Sequence, residues 1–171
     1  GANKGTSWTD AFTDLQIALS NLFSSVTEIW VAQGTYKPTT GTDRNISFVM
    51  KNGVAIYGGF NGTETLLSQR NWRTNVTTLS GNIGAAGNAD NSHTVVLAGA
   101  GLNATAILDG FTVTGAAGGS YSAGIYTNDG SPTISHCLIT GNSSTVFGGG
   151  LACYNASPII TDCIFSNNPS T

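Results

Sequence analysis

Charged side chains are scarce in this chain of 171 residues: six are Lys or Arg and nine are Asp or Glu, 9% together, against roughly a quarter in an average soluble domain. No Lys or Arg follows Arg73. With a net charge of −3 there is no cationic stripe for a phosphate backbone, which argues against nucleic-acid binding. The charged, Ala/Leu-rich heptads of a coiled coil are missing too. No apolar run approaches the roughly 20 residues that cross a bilayer, so no membrane span is expected, and the start at Gly1 lacks an initiator Met and any leader pattern. Proline is rare, with four residues. The three cysteines, Cys137, Cys153 and Cys163, are an odd number without C-x-x-C spacing, which indicates neither a zinc site nor a complete disulfide framework. What is abundant is Gly (23), Thr (23), Ser (17) and Asn (16), nearly half the chain, alongside 40% hydrophobic residues. That combination predicts one ordered, turn-rich β domain over 1–171.

A repeat with a period of 26 runs through the C-terminal third. Gly124 and Gly150, Ser131 and Ser157, Ile134 and Ile160, Cys137 and Cys163, Ile139 and Phe165, and Asn142 and Asn168 all match in one frame. One step earlier the frame sets Leu108, Phe111 and Val113 under Ile134, Cys137 and Ile139. Each unit carries short alternating runs, such as FTVT, CLIT and CIFS, separated by Gly, Asn, Ser and Pro, and none holds a helical period. The reading is an all-β parallel β-helix, with stacked rows through Phe111, Cys137 and Cys163 and through Val113, Ile139 and Phe165. Asn142 and Asn168 form an internal amide ladder, and Gly110, His136 and Asp162 sit at left-handed bends. Parallel thiols have the wrong dihedral for a disulfide, so Cys137 and Cys163 read as buried free thiols.

Residues 28–106 supply irregular first coils and residues 107–171 the regular ones. Over 7–23, Phe12, Leu15, Leu19 and Leu22 recur at helical spacing behind Ser7, Thr9 and Asp10, predicting an amphipathic helix that caps the first coil. The chain stops within a repeat, so it reads as the N-terminal part of a longer protein, with an open end suited to a further coil or to head-to-tail self-association.

Four segments, GTSWTDAFTDLQ (5–16), EIWVAQGTYKP (28–38), YGGFNGTET (57–65) and LDGFTVTG (108–115), resemble the N-terminal part of secreted bacterial right-handed β-helix proteins. These belong with the pectate-lyase-like superfamily and the chlamydial polymorphic outer-membrane proteins. The run Phe165-Ser-Asn-Asn168 fits the F-x-x-N motif of the latter, while Gly148–Leu151 and Ile139–Asn142 are near misses. The resemblance implies a right-handed helix and an exported, extracellular or cell-surface protein with adhesive or glycan-associated roles. It also directs attention to carboxylates on an outer strand face. Asp109, however, has Ser135 and Thr161 as its equivalents and Asp162 has His136 and Gly110, so no carboxylate pair appears and no catalytic residue is assigned. Tyr121, Tyr126, Phe147 and Tyr154, beside the Gly-rich segments, are the candidates for stacking on sugar rings. Asn88 and Asp90 are the candidates for calcium, the one cofactor considered. The function expected is a non-catalytic structural or adhesive module that contacts glycans or other surface proteins. The alternatives are a piece of a polysaccharide lyase or hydrolase with its catalytic coils beyond Thr171, and a self-stacking fibre subunit.

Overall fold

The computed structural model describes residues 3–85, 87–119 and 123–171. Its strands fall in chain order into layers of three. The first layer is β1 (Glu28–Ala32), β2 (Gly34–Tyr36) and β3 (Phe48–Val49); the second is β4 (Ala55–Phe60), β5 (Thr77–Ser80) and β6 (Thr94–Ala98). The third is β7 (Ile107–Asp109), β8 (Phe111–Thr114) and β9 (Ala123–Asn128), and the fourth β10 (Thr133–Ser135), β11 (Leu138–Thr140) and β12 (Leu151–Tyr154). β13 (Ile159–Thr161) and β14 (Ile164–Ser166) begin a fifth. All pairs are parallel, in three sheets ordered β1-β4-β7-β10-β13, β2-β5-β8-β11-β14 and β3-β6-β9-β12. The chain therefore visits the first, second and third sheets in turn, layer after layer. No helix among the described residues is long and apolar enough to cross a membrane.

Register makes the core. Residues two apart on a strand face the same side, so an in-register stack turns each inward position into a column. One column runs Ile29, Ile56, Leu108, Ile134, Ile160. A second runs Tyr36, Leu79, Val113, Ile139, Phe165, and a third Phe48, Val96, Ile125, Leu151. From β7 onward the partners in the first two sheets keep the period read from the sequence, Leu108 with Ile134 and Ile134 with Ile160. Earlier the spacing departs from it: Ile56 faces Leu108, two periods further along, because long excursions over 61–76 and 81–93 are inserted between strands. The asparagine ladder is present. Asn142 Nδ2 donates to Val113 O (3.0 Å) and to Asn168 Oδ1 (3.1 Å), Ala116 N–H donates to Asn142 Oδ1 (3.0 Å), and Asn168 Nδ2 donates to Ile139 O (2.8 Å). The bends at Gly110, His136 and Asp162 have φ of 82°, 50° and 51°.

At the first layer the helix expected over 7–23 is shorter. Trp8–Asp10 is a single 3-10 turn, Ala11 is extended, and α1 covers Leu15–Ser20. Asp14 starts it, its carboxylate accepting from the N–H of Gln16 (2.7 Å), and Asn21 ends it by folding its side-chain amide back onto Ile17 O (2.8 Å). These local side-chain bonds beat the longer periodic pattern. Leu15 and Leu19 are buried, and Gln16 Nε2 donates to Ser47 O (3.0 Å) beside the edge strand β3. Asp14→Ala should cost about 1 kcal/mol, read as a drop in the urea midpoint without a change in slope. The last layer is open: Ile160 and Phe165 are 41% and 44% exposed, whereas Ile134 and Ile139 directly behind them are fully buried. Cys153, on the inward side of the same end, is exposed for the same reason.

Candidate functional site

The outward row of the first sheet reads Trp30, Tyr57, Asp109, Ser135, Thr161. Over this row folds the 61–76 excursion, whose own shape comes from Glu64. Its buried carboxylate accepts from the N–H groups of Asn61 (2.7 Å), Gly62 (3.0 Å) and Thr63 (3.0 Å). Burial alone would raise the Glu64 carboxyl, but these amides outweigh it and hold it below the ordinary range. Further along, Asn71 N–H donates to Gly59 O (2.7 Å), pinning the excursion against β4.

The excursion delivers Arg70 and Trp72 to Asp109. One Arg70 nitrogen forms a buried ion pair with Asp109 Oδ1, and the other donates to Gly58 O (3.0 Å) and Asp109 O (3.3 Å). The guanidinium lies 5.0 Å from the ring centroids of both Tyr57 and Trp72, a cation–π contact with each. Asp109 Oδ2 accepts from the Ser135 hydroxyl (2.6 Å) and from His136 Nδ1 (2.9 Å). Burial pushes the Asp109 carboxyl up, but bonds from Ser135, His136 and Arg70, together with the Arg70 charge, hold it below its usual value. Tyr57 shifts upward through burial and the charges of Glu28 and Asp109, which exceed the pull of Arg70.

Because an ionised carboxylate only accepts, Asp109 assigns the proton to His136 Nδ1. Nε2 then turns outward, 3.8 Å from Asp162 Oδ2. The imidazole lies against Trp72, with centroids 4.4 Å apart at 43°, and Arg73 flanks the indole at 5.9 Å. A Cβ on Gly110 would stand 2.7 Å from the Arg70 guanidinium, so the corner that is His or Asp in later layers is bare where the guanidinium passes. Beside this cluster is an open cleft of about 500 Å³, lined by Leu66, Leu67, Ser68, Arg70 and Trp72. Chemically the arrangement offers an indole wall, hydrophobic contact, an outward imidazole nitrogen and a carboxylate, all set by a buried pair.

The residues expected to contact sugars lie elsewhere. Tyr121 falls outside the described residues. Tyr126 pairs with Ala152 and Tyr154 with Asn128 on the third sheet, and Phe147 is in the exposed loop between β11 and β12. Asn88 and Asp90 lie in the 81–93 excursion between β5 and β6. Asp90 Oδ2 accepts from Ala85 N–H (2.6 Å), Asn88 Oδ1 accepts from Asn91 Nδ2 (3.4 Å), and no three His, Cys, Asp or Glu side chains converge among the described residues. Missed by the sequence reasoning were Tyr57, Arg70, Trp72 and the bond between Asp109 and His136. The repeat frame does place Asp109 beside Ser135 and His136, which was the available signal, but Arg70 and Trp72 sit in an excursion with no repeat. No family model, curated protein or solved structure matches the chain.

Proposed function

We propose that the chain is a right-handed parallel β-helix acting outside the cell as a rigid, non-catalytic module that binds neutral glycans at the Trp72 cleft. Parallel pairing between successive layers, with each sheet visited in turn, supports the helix, and the general right-handedness of parallel crossovers supports its hand. The observation that carries the binding role is an indole wall fixed by a buried ion pair beside an open cleft. Sugar C–H faces stack on such rings, and a preset ring loses little freedom on binding. A surface with few charges and many hydroxyls and amides suits neutral polymers.

A polysaccharide-hydrolysing role draws on a different feature, the outward Nε2 of His136 backed by Asp109, which is the posture of a general base. One experiment separates the two. The labelled protein is applied to an array of neutral and acidic glycans, and soluble polysaccharides are analysed for shortened products. Retention on neutral glycans that is lost in Trp72→Ala, without product, is expected. Equal retention of Trp72→Ala, or no retention by the parent protein, would overturn the proposal, and product formation lost in His136→Gln would favour hydrolysis instead.

A further inference from the structure

The two columnar cysteines occupy the same pose one layer apart. Cys137 Sγ lies 3.2 Å from Ser135 O and 3.8 Å from Leu108 O; Cys163 Sγ lies 3.3 Å from Thr161 O and 3.6 Å from Ile134 O. The acceptors are themselves register partners, Ser135 with Thr161 and Leu108 with Ile134. Side chains related by a layer translation carry their sulfurs about one strand spacing apart, roughly 4.8 Å. That is far beyond the ~2.05 Å of a disulfide. It is close to twice the ~2.3 Å of a zinc–thiolate bond, so the gap is of the size that one metal ion in line between two sulfurs fills.

We propose that Cys137 and Cys163 form a two-thiolate clasp for a soft monovalent cation, Cu(I) or Ag(I). Binding exchanges two thiol protons for one cation, leaving a bis-thiolate complex of charge −1 and two protons in solvent. Cys163 is half-buried and Cys137 is 2% exposed, so a cation enters at Cys163. Soft sulfur ligands select Cu(I) over hard cations. Zinc needs about four ligands, and no third His, Cys, Asp or Glu converges here among the described residues.

The test uses the reduced full chain with Cys153→Ser, which removes the exposed thiol. Ag(I) is titrated while thiolate-to-metal absorption and the melting midpoint are followed. One equivalent per chain, with a raised midpoint, is expected, and both signals should vanish in Cys163→Ser and in Cys137→Ala. Cys163→Ser, altering only the half-buried partner, keeps the test valid should Cys137→Ala fold poorly. Two equivalents per chain, an undiminished signal in Cys163→Ser, or an equal midpoint shift with Zn(II) would overturn the clasp. So would quantitative closure of a Cys137–Cys163 disulfide by diamide with the fold intact, since the sulfurs would then lie too close for a bridging ion.

Discussion

Arg70→Met is expected to destabilise the protein by about 3–5 kcal/mol, the usual range when one partner of a buried ion pair is removed and the other charge stays behind. The side chains of Arg70 and Asp109 are only 8% and 9% exposed, so solvent screens the pair little and the surface-pair discount does not apply. The measurement is a urea melt, in which the midpoint should fall with the slope nearly constant. A loss below about 1 kcal/mol, the scale of an exposed pair, would mean that Asp109 is satisfied by Ser135 and His136 alone. The pH dependence follows from the direction of the Asp109 shift. Its folded carboxyl ionises below the ordinary value of 3.8, so its contribution is complete above that value and is lost as pH falls through the lower folded one. Parent and Arg70→Met should therefore differ fully at neutral pH and converge in acid. Since the same guanidinium holds the 61–76 excursion, glycan retention should fall along with stability.

Ile139→Ala is the second large effect, at about 2–5 kcal/mol for a buried aliphatic truncation. Ile139 is fully buried between Val113 and Phe165 in its column, and a continuous row has little freedom to collapse around the gap. Phe165→Ala removes a larger side chain, yet its effect should be the smaller of the two, because Phe165 is already 44% exposed. The pair of melts is informative by rank: a larger loss for Phe165→Ala would mean that the last layer is covered in solution by something that packs on that ring.

The regular layers were legible because each strand position from Ile107 to Ser166 in the first two sheets answers to a neighbour one period away, and the inward positions, Leu108–Ile134–Ile160 and Val113–Ile139–Phe165, stay apolar under that translation. Cys137 over Cys163 and Asn142 over Asn168 are read directly from that rule. The first two layers were less legible. Their strands carry the right alternation, but the excursions at 61–76 and 81–93 hide the spacing, and β2, with Gly34 and only three residues, is too short to declare itself. The helix was overextended because Phe12 and Leu22 continue the apolar spacing beyond Leu15–Ser20. What stops the backbone there is polar and local, the side chains of Asp14 and Asn21.

The candidate site was the least legible part. In the repeat frame the equivalents of Asp109 are Ser135 and Thr161, neither of them a carboxylate. In the structure Ser135 is a hydrogen-bond donor to Asp109, His136 is its second donor, and the counter-charge comes from Arg70, far upstream in the chain. A long-range ion pair between a repeat and an unrepeated excursion leaves no periodic trace. Only the missing side chain at Gly110 marks it, and a glycine at a left-handed bend has an adequate local reason to be there.

That bare corner also limits how the architecture can be rewritten. Modular proteins of this type invite copying, in which any tier is swapped for an average of its neighbours. A tier averaged from the later corners would install an imidazole or a carboxylate at position 110, in the passage through which the guanidinium reaches its partner. This tier is a keyhole, and its emptiness is the part that must be inherited.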